Sequence, residues 1–172
     1  MIKQPNLSAA LSAVSPKVRR ALLETHEALV KAGVPHALIG GLAVGAYGYP
    51  RATKDVDWLV GDEAFRFHGK LVTMREGLPF EYDGIPIDYL SPSAQGEAAA
   101  MSSSAGVLAI APVEHIFRQK LKAGRARDKG DLVELLKRGV DPEAVRKYIQ
   151  RAAPQLVDAF DKIRLTAEEE AE

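Results

Sequence analysis

The residues best suited to chemistry in this chain are three aspartates and a pair of glycines. Asp55 and Asp57 sit in the apolar run DVDWLV, which reads as a strand. Strand side chains alternate faces with period two, so the two carboxylates share one face while Val56 and Trp58 take the other. Aspartate is depleted in strands, and like charges held this close raise one another's pKa unless a cation lies between them. A bound divalent ion resolves the conflict. A third carboxylate, Asp88 in GIPIDYL, falls on the polar face of a later strand whose apolar face is Ile85, Ile87 and Tyr89. If that strand lies beside the first, three carboxylates can hold two Mg²⁺ or Mn²⁺ ions about 3.5–4 Å apart, the separation used for in-line phosphoryl displacement. Oxygen ligands suit these hard ions better than zinc. One ion would lower the pKa of an attacking hydroxyl, and the other would neutralise a triphosphate and its pyrophosphate leaving group. Gly40-Gly41 supplies the complementary part, a turn without β-carbons where backbone N–H groups can approach phosphate oxygens.

Taken singly these signals are weak. An Asp-x-Asp is more often a solvated strand edge or a loop calcium ligand, and a Gly-Gly is usually a turn. Their combination and the elements around them carry the reading. Ser15-Pro16 caps an amphipathic helix that Gly33 ends, and His36 to Ile39 is a short strand that runs into Gly40-Gly41 and a helix from Leu42 to Tyr47. Asp55 to Val60 is the next strand, and Asp62 to about Met74 is expected to be a helix. Leu78 to Tyr82 and Ile85 to Leu90 flank Asp83-Gly84, whose residue types suit a type I′ hairpin that pairs Phe80 with Ile87. Ser91 to Ala105 is small and polar, hence a loop, and Val107 to Ile110 is a last short strand. From Pro112 the pattern is helical, with breaks near Gly124, Gly139 and Pro154. The expected class is α+β: a small mixed β-sheet core of four to five strands flanked by helices, residues 1–111, with a helical C-terminal third, residues 112–172, packed on it.

The chain has 172 residues, enough for one hydrophobic core. It has no cysteine, which removes disulfides, thiolate metal sites and cysteine nucleophiles. No apolar run is long enough to span a bilayer and the N-terminus lacks a secretory pattern, so a cytoplasmic location without a membrane partner is expected. Lys plus Arg number 23, as do Asp plus Glu, so the whole molecule lacks the charge of a protein that binds nucleic acid mainly by neutralising phosphates. The charge is uneven: residues 118–138 are basic, with Arg118, Lys122, Arg125 and Lys129 expected on one helical face, and the terminal AEEEAE is acidic and expected to fray.

The stretch GGLAVGAYGYPRATKDVDWLV, Gly40 to Val60, resembles the signature of the DNA polymerase β-like nucleotidyltransferase superfamily, with GIPIDYL supplying the later aspartate. Tyr47-Gly48 and the Arg51-x-Thr53 approach resemble a bacterial branch that includes the toxins of AbiE-type abortive-infection systems. KLKAGRARDKGDLVELL resembles the Lys-rich, Arg-Asp-x-x-Asp helical motif of that branch, matched by Lys120, Arg125, Arg127, Asp128 and Asp131. The resemblance implies a metal-dependent transfer of a nucleoside monophosphate from an NTP to a hydroxyl acceptor. It further implies metal ligation by Asp55, Asp57 and Asp88, and that Lys120, with an arginine such as Arg127, faces the triphosphate. Leu42 stands where many members carry a phosphate-binding Ser or Thr, which moves phosphate contacts to backbone groups and to Arg51, Thr53 or Lys54. For partners, the branch implies tRNA or another macromolecule as acceptor and a cognate antitoxin. Small antibiotic-modifying nucleotidyltransferases resemble the same stretch, so a small-molecule acceptor is the enzyme alternative, and a catalytically silent nucleotide- or protein-binding module is the alternative of another class.

Other signals are set aside. GGLAVG lacks the G-x-G-x-x-G spacing of a dinucleotide turn, and there is no Walker A sequence. His26, His36, His68 and His115 have no metal-ligand spacing. Trp58, opposite the aspartates, belongs to the core, and Tyr47, Tyr49 and Tyr89 read as core or rim ahead of base-stacking positions.

Overall fold

A computed structural model describes residues 3–91 and 107–172. Seven helices and six strands are found among them. Helix α1 (Leu7–Leu11) is capped by Asn6, and α2 (Pro16–Lys31) by Ser15, whose hydroxyl accepts from the Val18 N–H. Strand β1 (His36–Ile39) leads directly into α3 (Gly40–Ala46), and β2 (Val56–Val60) follows. The central sheet has the order β1-β2-β6-β5, with β5 at Glu81–Tyr82 and β6 at Ile85–Leu90. Strand β2 pairs antiparallel with β1 and parallel with β6, so the sheet is mixed. The β5–β6 turn has positive φ at both Asp83 (50°) and Gly84 (79°), as a type I′ turn requires.

Strand alternation divides the core between the two faces of this sheet. Val56, Trp58 and Val60 pack with Leu38 and Ile87 against Val18, Leu22 and Leu29 of α2. Ile39 and Leu59 face the other way, into a cluster with α3 and the C-terminal helices. Those helices are α4 (Val113–Ala123), α5 (Ala126–Lys137), α6 (Pro142–Ala152) and α7 (Val157–Ala171). Phe117, Leu132, Leu135 and Phe160 carry them into the same buried cluster as Ile39. Gly124 (φ 66°) and Gly139 (φ 89°) adopt the left-handed conformation at the two breaks. Asp141 caps α6 by accepting from the Glu143 and Ala144 N–H groups.

Several expectations are corrected. Asp62 to Met74 is no helix: a single 3₁₀ turn, Asp62–Ala64, leads into a hairpin of β3 (Phe65–His68) and β4 (Leu71–Met74). Period-two alternation wins here, because Phe65 faces Met74 and Phe67 faces Val72 across the pair, and Gly69 (φ 63°) makes the turn. Residues 78–80 are outside β5 because Pro79 has no N–H to donate, although the Ile87 N–H still reaches the Phe80 carbonyl at 2.8 Å. The expected strand at 107–110 reduces to one parallel bridge, Leu38 to Ile110. Arg118 and Lys122 lie on α4, whereas Arg125 and Lys129 follow the Gly124 break, so they do not form one helical face. The acidic end continues α7 to Ala171, and Lys137 Nζ lies 3.0 Å from Glu170 Oε2. Of the expected loop at 91–105, only Ser91 is among the described residues. No helix among them is long and apolar enough to cross a membrane.

Candidate metal centre

The ladder between β2 and β6 places Asp57 directly beside Asp88, and Asp57 also pairs with Ile39, the last residue before Gly40. Asp55 lies one residue before β2 and joins them. One carboxylate oxygen from each of Asp55, Asp57 and Asp88 lies within 4.8 Å of the others, a group able to hold a metal ion. Like charges at that separation repel unless a proton or a cation lies between them. The effect appears at Asp57, the most enclosed member. Burial, then the charges of Asp55 and Asp88 and a hydrogen bond with Asp88, push the Asp57 carboxyl up to about 7, with Lys120 partly opposing. Among the described residues, none of the three aspartates forms an ion pair with Lys or Arg.

The glycine turn is shaped around this group. Gly40 has φ 70°, and a β-carbon there would lie 2.7 Å from Asp57 Cγ, so a side chain would displace the carboxylate. A β-carbon on Gly41 would lie 2.9 Å from Thr53 Oγ1. Thr53 in turn donates its hydroxyl to Asp55 Oδ1 at 2.9 Å, which orients that ligand. The three aspartates and both glycines open onto a cleft of about 590 Å³, within the range of small-molecule sites.

The far wall of the cleft is built by the C-terminal helices around a second acidic pair. Asp128 and Asp131 are each 2 % exposed. Lys120 Nζ lies 3.0 Å from Asp128 Oδ1 and 2.8 Å from Asp131 Oδ2. Arg51 donates through Nε and Nη2 to both oxygens of Asp131, each at 2.7 Å, and Arg125 Nε donates to Asp128 Oδ2 at 2.7 Å. Burial would raise both carboxyls, but the hydrogen bonds from Arg125 and Lys120 to Asp128, and from Arg51 and Lys120 to Asp131, hold them below the usual range.

Of the residues expected to contact nucleotide, Gly40, Gly41, Arg51, Thr53, Lys120 and Arg127 line the cleft together with the three aspartates. Arg51 is spent largely on Asp131, Thr53 on Asp55, and Arg127 Nη2 donates to the Ala52 carbonyl at 3.1 Å. Lys54 is exposed and outside the cleft. Sequence reasoning missed Gln119, which lines this cleft and whose Nε2 is buried with no partner among the described residues. A glutamine inside FRQKLK carries no signal for that role. Of the partners of Asp128 and Asp131, only Arg125 is local, whereas Lys120 and Arg51 come from other elements.

On the other side of the sheet, His26 Nδ1 and His36 Nε2 share a hydrogen bond of 2.7 Å, and His36 Nδ1 meets the Val34 carbonyl at 2.8 Å. Both rings pack beside Trp58, whose indole N–H donates to Thr25 Oγ1. Both histidines are buried in this cluster. No protein-family model and no curated protein matches this chain.

Proposed function

We propose that this protein is a metal-dependent nucleotidyltransferase of the polymerase β-like type, which moves a nucleoside monophosphate from an NTP to a hydroxyl acceptor and releases pyrophosphate. The observation that carries the reading is the unneutralised group Asp55, Asp57 and Asp88 beside the Gly40-Gly41 turn, facing a cationic wall across one cleft. Its donor set, all carboxylate oxygen, with Asp57 pushed up to about 7 by burial and by the two neighbouring carboxylates, fits Mg²⁺ or Mn²⁺. Two such ions would supply Lewis-acid neutralisation of the triphosphate and of the developing charge.

The chain's own residues do the positioning. Gly40 and Gly41 line the cleft at the start of a helix, where backbone N–H groups suit phosphate oxygens. Lys120, Arg125 and Arg127 line the facing wall and set the positive side of the cleft, while Gln119 offers an amide donor. Asp88, the most exposed ligand, accepts the proton of the acceptor hydroxyl. The acceptor oxygen then bonds to the α-phosphorus, the bond from that phosphorus to the bridging oxygen breaks, and the electron pair leaves on pyrophosphate.

Incubation with each labelled NTP and total RNA or a small-alcohol panel, with and without Mg²⁺, tests the proposal. Label should pass to an acceptor only with the ion, and Asp57→Asn should abolish it. Failure of Mg²⁺ to support nucleotide binding, together with an Asp57→Asn variant unchanged in any activity, would sink the reading.

A further inference from the structure

Besides its aspartates and glycines, the metal cleft is lined by two contrasting sets of side chains. Arg51, Lys120, Lys122, Arg125 and Arg127 are cationic and suit phosphate oxygens. Ile39, Leu90, Ile116 and Ala123 are apolar and do not.

Helix α4 contributes to both sets. Ile116, Gln119, Lys120 and Ala123 stand at i, i+3, i+4 and i+7, which makes them one stripe of that helix, and all four line the cleft. Lys120 is taken up by Asp128 and Asp131. On the sheet, Leu90 comes two residues after Asp88 and so shares its face of β6, and it packs on the buried cluster that contains Ile116. The cleft therefore has an apolar side next to the metal group.

Gln119 is the polar exception on that side. Its Nε2 is the one buried side-chain nitrogen or oxygen among the described residues that has no hydrogen-bond partner. A buried donor left unmade costs its full desolvation, and folded proteins keep few of them. Because this side chain lines the cleft, an occupant of the cleft is placed to supply the acceptor.

The chemistry of the amide narrows that occupant. An N–H donor does not ligate a metal ion, and five cations already line the cleft for phosphates. A neutral amide among apolar side chains suits a ligand with flat apolar faces and an uncharged polar edge. A nucleobase has both, and the glutamine amide offers that edge a donor and an acceptor side by side.

We infer, resting on the nucleotidyl-transfer reading, that Gln119 is a specificity-determining residue, which hydrogen-bonds the edge of the NTP's base. The faces of the base lie between Leu90 and the Ile116 to Ala123 stripe of α4.

The test uses the full chain with Mg²⁺ and measures the binding of each NTP, of ribose 5′-triphosphate, which has no base, and of tripolyphosphate. Gln119→Met keeps the length of the side chain and removes the amide, and Gln119→Leu serves as a second variant. Affinity for the tightest NTP should fall about ten-fold in both, with ribose 5′-triphosphate and tripolyphosphate held within about two-fold of the parent. Differences among the NTPs should shrink as well. Without metal or nucleotide, the variants should melt at or above the temperature of the parent, since an unpartnered buried donor is gone. A lower melting temperature in both would show that the amide already has a partner within the chain, and overturns the inference. An equal loss for ribose 5′-triphosphate moves Gln119 to the sugar or phosphates, and unchanged NTP affinity with reduced transfer moves it to the acceptor; each result also overturns it. If neither the NTPs nor tripolyphosphate bind the parent, the nucleotidyl-transfer reading falls and this inference with it.

Discussion

Two groups of aspartates, one lining the cleft and one bordering it through Asp128, are treated in opposite ways. Asp128 and Asp131 are the more deeply buried, yet Lys120, Arg51 and Arg125 surround them and their carboxyls are held below the usual range. Asp55, Asp57 and Asp88 lie nearer solvent, have no Lys or Arg partner among the described residues, and the Asp57 carboxyl is pushed up to about 7. Burial raises the carboxyl in both groups, and in the helical pair it is overridden by hydrogen bonds from Lys and Arg. What separates the groups is countercharge: the chain supplies it for the helical pair and, among the described residues, supplies no Lys or Arg partner for the sheet group. Perturbed, unpaired carboxylates of this kind cluster at functional sites, and it is on this contrast that the proposed metal site rests.

Substitution breaks this contrast most strongly at the sheet group. Asp57→Asn should lower Mg²⁺-dependent transfer by roughly three orders of magnitude or more, read with labelled NTP. The same change should raise the melting temperature of the metal-free protein, since it removes a repelling charge. A fall in metal-free stability would mean that the repulsion is already relieved within the chain.

Asp131→Asn should act in the opposite sense. It leaves Lys120 and Arg51 buried beside a neutral amide, and loss of one partner of a buried pair costs about 3 kcal/mol, measurable by urea unfolding. An unchanged unfolding midpoint would show that the pair is not structural.

The pH dependence sharpens the comparison on a smaller scale. Asp57 binds its proton more tightly folded, near 7, than at its ordinary 3.8, so it makes metal-free stability fall as pH rises between those values. His26 and His36 have the opposite sign: burial lowers both, so their contribution is lost as pH falls below the ordinary 6.5. In Asp57→Asn the fall with rising pH should disappear while the loss at low pH remains, and in the parent Mg²⁺ should stabilise more at pH 8 than at pH 5. Equal stabilisation at both pH values would count against the carboxylates as the ion's ligands. The smallest effect is expected at Lys54, which is exposed and outside the cleft: Lys54→Ala should leave labelled-NTP transfer within about two-fold, as befits a surface change.

Much of the site was legible because short-range geometry decides it. Period-two alternation puts Asp55 and Asp57 on one side and Trp58 on the other, and Asp83-Gly84 sets the β5–β6 register that places Asp88 on the polar face. Local patterning failed at Phe65 to Met74, where a short run with mixed apolar positions fits a helix or a hairpin until it finds a neighbour. It also gave no sign that Arg51, which lines the cleft, is bound to Asp131, because that partner is eighty residues away.

The sequence by itself therefore determined the α+β class, the carboxylates of Asp55 and Asp57, the capped and glycine-broken helices and the turn at Gly40-Gly41, all of which depend on neighbours within a few residues. The tertiary structure alone decided that β6 lies parallel to β2, so that Asp88 meets Asp57, and that Lys120 and Arg51 are drawn to Asp128 and Asp131. The physical reason is one of range: backbone propensity acts along the chain, whereas strand adjacency and charge neutralisation are settled only when distant segments bury one another.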